Sequence, residues 1–124
     1  MSSHLHLIIR AKNNDPATLL GRFKEYTSKN LVKSIDENSQ ESCREWMLDM
    51  FKKEGTKRSN MTTNQFWQHD NRPIELWSQE VLEQKVDYTH NNPVVAGLVL
   101  EPWHWQYSSA IDYSGGKGLI ELDL

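Results

Sequence analysis

Asp15-Pro16 opens the longest periodic stretch of this chain, and that stretch limits what the remaining residues can build. The Asp15 side chain can accept from the orphan N–H groups of a first helical turn. Pro16, with φ already fixed and no N–H to satisfy, suits the first helical position. Leu19, Leu20, Phe23, Thr27, Leu31 and Ile35 then recur at helical intervals, which predicts a helix from about Pro16 to Asp36 with one inward stripe. Such a stripe needs a partner. The polar break at Asn38-Ser39 is followed by Cys43, Trp46, Met47, Met50 and Phe51 at helical spacing, with Gly55 as a C-terminal stop. This predicts a second helix packed on the first. Cys43 falls in the apolar stripe and is the only cysteine, so it reads as a buried structural residue with no disulfide partner.

The N-terminus has a different period. His4, His6 and Ile8 alternate with Leu5, Leu7 and Ile9, which predicts a strand buried on its Leu/Ile face ahead of a Lys12-Asn13-Asn14 loop. On a strand the two imidazoles point to one side and can converge on one metal ion, whereas on a helix they would diverge. From Gly55 to Asn64 the chain is polar and irregular and reads as a surface loop with Lys57 and Arg58 at its centre, either contacting DNA or simply solvated. Ser78 can cap a third helix, with Trp77 packing on Leu82 as a hydrophobic staple. Pro93 disfavours helical geometry at the residue before it, so this helix is predicted to end at Asn91 or Asn92. Val94 to Leu100 is too short and apolar to classify, Gly115-Gly116 reads as a turn, and Leu119 to Leu124 alternates like an exposed edge strand.

Two places carry candidate chemistry, and each has an ordinary alternative. His4-Leu5-His6 is either a metal-ligating pair or two surface histidines. Tyr88 and Asn92 lie a turn apart on one helix face, which pairs a candidate nucleophile with a third ligand. Tyr88 also shares a stripe with Trp77, Val81 and Gln84, the pattern of a core tyrosine. His90 beside it reads first as a helix-end histidine. Arg22, Tyr26, Lys29 and Lys33 form a basic stripe with an aromatic inside it, either a strand-tracking DNA surface or a solvated helix face. Trp103, Trp105 and Tyr107 either cap a small core or stack on splayed bases.

Composition narrows the classes. With 124 residues, five Trp and 37% hydrophobic content, the chain is expected to form one domain, 1–124, with a modest core. It has no apolar run of membrane-spanning length and no visible signal peptide, so a cytoplasmic location is expected. The formal net charge of −3 argues against a surface uniformly built for a polyanion. Much of the acidity, however, lies outside the basic stripe, in residues such as Glu41, Glu45, Asp49, Glu80 and Glu83.

Several segments together resemble the single-tyrosine HUH transposases, and among them the REP-associated tyrosine transposases. They are Met1-Ser2-Ser3-His4-Leu5-His6-Leu7-Ile8-Ile9, Phe66-Trp67-Gln68, Val86-Asp87-Tyr88 with Asn91-Asn92-Pro93-Val94 and Ala96-Gly97-Leu98-Val99, and Trp103-His104-Trp105-Gln106-Tyr107-Ser108-Ser109-Ala110. Asn92 in place of glutamine favours the REP-associated branch. The resemblance implies a ferredoxin-like α+β fold, an antiparallel sheet presenting the histidines with helices on one face. Family members carry a strand and a helix before the histidine strand and reach it across Met-Pro-Asn. Here Met1-Ser2-Ser3 stands at that place, so the expected fold is N-terminally truncated, with an open strand edge that a homodimer would cover.

The implied chemistry is attack of Tyr88 on a phosphodiester of single-stranded or hairpin DNA, giving a 5′-phosphotyrosine and a free 3′-OH. His4, His6 and Asn92 would hold a divalent ion that offsets transition-state charge. Mixed N/O ligation is compatible with Mg²⁺ or Mn²⁺, and the resemblance selects these. The other class in view is a nucleic-acid-binding remnant that has lost the chemistry. A third is a metal-dependent phosphodiesterase using water, in which Tyr88 is structural.

Overall fold

The computed structural model describes residues 4–57 and 64–123, and every statement of structure concerns those residues. Its regular elements are helical: α1 (Pro16–Glu37), α2 (Arg44–Thr56), α3 (Gln79–Val95), a 3-10 turn (Pro102–His104) and α4 (Ala110–Tyr113). No strand occurs among the described residues, so the expected ferredoxin-like α+β sheet is corrected to a helical architecture. Residues 4–10 and 119–123 alternate in sequence but enter no ladder. Alternation sets which side a residue faces, and a strand also needs a neighbour for its N–H and C=O groups. The signals beyond those two runs are helix caps and helical stripes. The basis for an open sheet edge, and for a homodimer covering it, goes with the sheet.

Contacts gather the chain into two compact units, one of residues 4–8 with 74–123 and one of residues 9–73. In the second unit α1 begins as the sequence dictates. Asp15 caps it by accepting from the Thr18 N–H at 3.0 Å, and Pro16 opens the first turn. α1 packs on α2. The Arg44 guanidinium fastens the α1 end, bonding the Asp36 carbonyl at 2.6 Å and its carboxylate at 2.7 Å. The core is aromatic. Buried Phe51 lies 5.1 Å from Phe66 between ring centroids, Phe66 lies 5.1 Å from Trp67, and Trp67 lies 6.1 Å from Phe23. Thr27 completes the cluster by accepting the Trp67 indole N–H at 2.9 Å. Aromatic pairs of this kind contribute about 0.5–1.5 kcal/mol beyond area burial.

Two expectations for α2 are corrected. Cys43 is exposed at the N-cap position, because the helix starts only at Arg44 and the preceding turn, not the stripe, sets the cysteine's direction. Gly55 is buried inside the last turn, and the cap residue Lys57 keeps right-handed geometry, so no left-handed glycine stop forms.

In the first unit Ser78 caps α3, its Oγ accepting from the Val81 N–H at 3.2 Å. Trp77 is 73% exposed, so the expected staple onto Leu82 is not made. α3 also runs past its predicted end at Asn91 or Asn92 to Val95, with Pro93 inside it and fully buried. A proline in the last turn forfeits only one backbone bond, to the carbonyl four residues earlier. What ends the helix is Gly97 at φ +69, where the Leu98 N–H bonds the Pro93 carbonyl and the Gly97 N–H the Val94 carbonyl, both at 2.9 Å. That is a Schellman closure. Gly115 and Gly116 repeat it behind α4, with Gly115 at φ +88, its N–H on the Asp112 carbonyl at 3.2 Å and the Gly116 N–H on the Ile111 carbonyl at 2.9 Å. α3 and α4 each pack on the 3-10 turn.

Candidate functional site

The histidine segment and the tyrosine helix belong to the same unit, although the whole of residues 9–73 separates them in sequence. The His4 and His6 ring centroids are 5.1 Å apart with planes at 85°, and the His6 ring stands edge-on to Tyr88 at 5.7 Å and 88°. Local chain geometry explains the first pair, because extended backbone sends residues two apart to the same side even without a ladder. Tyr88 is 58% exposed, and Lys85, three residues earlier on α3, holds its ammonium 5.8 Å from the Tyr88 ring centroid.

His6 is the perturbed member of this group. Burial holds its pKa below the ordinary histidine value, and the neighbouring His4 adds to the depression. Its Nε2 is buried without a hydrogen-bond partner. A buried nitrogen in that state costs free energy, and a cation or a donor hydroxyl would satisfy it.

Asn92 lies one turn after Tyr88, and its side-chain amide donates to the Tyr88 carbonyl at 2.8 Å. That bond uses Nδ2 and leaves Oδ1 as the atom able to ligate. Among the described residues no three histidine, cysteine or carboxylate side chains group as a metal site. The sequence-predicted ligands that the structure brings together are the two imidazoles, and Asn92 is placed by its bond to the Tyr88 carbonyl.

The residues read as DNA-binding belong to the other unit. Arg22, Tyr26, Lys29 and Lys33 are all exposed on α1, Tyr26 at 71%. Two of the cations are engaged along the helix, Lys29 with Glu25 at 2.7 Å and Lys33 with Glu37 at 3.8 Å. The Lys29 bond holds the Glu25 carboxyl below the usual range. Lys57 is exposed and pairs with Glu54. Arg58 lies outside the described residues.

A second group brings together His90, read in the sequence as a helix-end histidine, with Ser109 and Tyr113, which the sequence did not single out. His90 Nε2 is hydrogen-bonded to Ser109 Oγ at 2.8 Å, and its ring lies 4.9 Å from that of Tyr113, so one side chain ties α3 to α4. Burial lowers the His90 pKa, with Asp87 partly opposing the shift. Beside this tie opens a cleft of about 760 Å³, lined by Gln84, Tyr88, Asn91, Asn92, Trp103 and Tyr113 among others. Gln84, Tyr88 and Asn91 follow at i, i+4 and i+7, the one advance signal that these side chains share a face. A scan against protein-family models, a search of curated proteins and a search of solved structures each returned no match.

Proposed function

We propose that the chain is an HUH-type, single-tyrosine DNA strand transferase, acting in DNA transposition or recombination on single-stranded or hairpin DNA. The observation that carries this reading is the meeting of the His6 ring, with His4 beside it, and the Tyr88 ring although an entire unit separates them in sequence. A core tyrosine at this place would be buried, and Tyr88 is exposed. In the proposed step Tyr88 Oη attacks phosphorus and the bond to the 3′ oxygen breaks. The phenol proton ends on that oxygen, leaving a 5′-phosphotyrosine and a free 3′-OH. His4, His6 and Asn92 Oδ1 would hold Mg²⁺ or Mn²⁺, which when bound offsets charge on the phosphate. The Asn92 amide, by bonding the Tyr88 carbonyl, fixes the helical turn that separates the nucleophile from this third ligand.

The basic α1 face, with Lys57 and Arg58, supplies the strand-tracking charge in this reading. The compartment it implies is the cytoplasm. No helix among the described residues is long and apolar enough to cross a membrane. The decisive experiment incubates the chain with hairpin-bearing single-stranded DNA and Mn²⁺ and looks for an adduct that survives SDS. The adduct is expected from the native chain and not from Tyr88→Phe, whose DNA binding stays within about twofold. An undiminished adduct from the Phe variant removes Tyr88 from the mechanism.

A second reading, a nucleic-acid-binding module without strand transfer, is favoured by the lack of a sheet beneath the histidines among the described residues. It predicts DNA binding with no adduct under any metal.

A further inference from the structure

The cleft beside Tyr88 has a lining that a phosphate would not choose. Lys and Arg are absent from its walls, and Asp87 places a carboxylate there. Away from its Tyr88 and Asn92 end, such a wall gives a phosphate no cation to pair with and suits the uncharged part of a ligand better. Trp103 and Tyr113 contribute aromatic surface to the walls and are 46% and 56% exposed. On the α3 side Gln84 and Asn91 present two carboxamides, both exposed, and neither makes a hydrogen bond among the described residues. Carboxamides can donate and accept side by side, the pattern that matches the edge of a heterocycle. Asp87 adds an acceptor for an exocyclic amine. Flat apolar surface, unspent amides and no lysine or arginine among the lining residues describe a receptor for a planar, neutral, hydrogen-bonding ring.

From this lining we infer that the cleft receives one unpaired nucleobase of the DNA strand whose phosphodiester lies at Tyr88. The inference rests on the proposed strand-transfer reading and adds to it a residue-level specificity site. Tyr88 lines the same cleft, so a base seated on Trp103 and Tyr113 and a phosphate at the phenol can belong to neighbouring positions of one strand. The His90–Ser109 bond fastens α3 to the chain just before α4, and the His90 ring stands against Tyr113 in the cleft's lining.

The test uses the full chain and a hairpin-bearing single-stranded oligonucleotide scanned one position at a time, first with abasic sites and then with 2-aminopurine. One position is expected to stand out. Its abasic form should bind about 5- to 150-fold more weakly, the range expected when one stacked base is lost, about 1–3 kcal/mol. 2-Aminopurine at that position should be quenched on binding. Trp103→Leu should remove both effects at that position alone. Gln84→Ala and Asn91→Ala, at exposed positions that leave the packing untouched, should change which base is preferred there. A flat abasic scan, or a Trp103→Leu chain with an undiminished position-specific penalty, overturns the inference. A position-specific penalty without any Tyr88-dependent adduct keeps the base site and removes strand transfer. An adduct accompanied by a flat scan does the reverse.

Discussion

At the scale of single residues, His6 is the most informative position in the chain. Its buried, unpartnered Nε2 beside His4 and Tyr88 means that the imidazole costs stability until something binds it. His6→Ala is therefore expected to leave the metal-free chain at least as resistant to heat as the native one. In the same variant Mn²⁺ should lose its stabilising effect, which for the native chain at a hundredfold excess over Kd amounts to about 2.7 kcal/mol. Thermal melts with and without Mn²⁺ check this, and an equal Mn²⁺ response in both proteins rules out His6 as a ligand. The adjacency of His4 and His6 was legible in the sequence, because two residues apart in extended chain means one side. The orphan nitrogen was not, since burial of one ring atom depends on Tyr88 and on packing that no local pattern encodes. The His90–Ser109 bond was equally hidden, because His90 has an ordinary local explanation as a helix-end histidine and no local pattern links it to Ser109.

At the scale of elements, the legible features were those with a local cause. α1 and α3 start at the caps Asp15 and Ser78, which make the bonds their side chains predict, whereas α2 has no side-chain cap bond and its expected apolar-side residues Trp46 and Met50 are exposed. The strand at residues 4–10 was misread because alternation is a local property and pairing is not. The end of α3 was misread because the proline rule was applied without the closure at Gly97. Gly97 at φ +69 holds a conformation that an L side chain adopts only under strain, so Gly97→Ala should destabilise the end of α3 by about 1–2 kcal/mol, seen in urea unfolding. Ser78→Ala at the other end should cost about 1 kcal/mol in the same measurement.

Asp15 adds a pH dependence. Its bonds from Thr18 hold the folded carboxyl below its ordinary pKa, so its contribution is complete above the unfolded value and disappears as pH falls through the depressed one. The helical signal at 222 nm should therefore decline on the acid limb, and Asp15→Asn should flatten that decline.

At the scale of the whole molecule, stability is distributed between two units with cores of different kinds. Residues 9–73 rest on the Phe23, Phe51, Phe66 and Trp67 cluster, and residues 74–123 on buried Pro93 and Ala110 with the closures around them. Phe51→Ala should remove about 3–5 kcal/mol from the first of these. Amide exchange is expected to accelerate across residues 9–73 with α3 protection retained, and uniform acceleration would show the two to be one cooperative body. The aromatic cluster was half legible, since Phe23 and Phe51 lie in predicted stripes while Phe66 and Trp67 sit on irregular chain that offers no period to read. The division itself carries a further consequence. The chain leaves one unit after residue 8, builds residues 9–73 and then returns, so the His6 ring and the Tyr88 ring it meets lie on opposite sides of a whole unit in sequence. On a ribosome, the contact between His6 and Tyr88 cannot form until residues 9–73 have been made. A protease that cuts within residues 9–73 therefore breaks the covalent path between His6 and Tyr88, leaving only their packing to keep the two rings together.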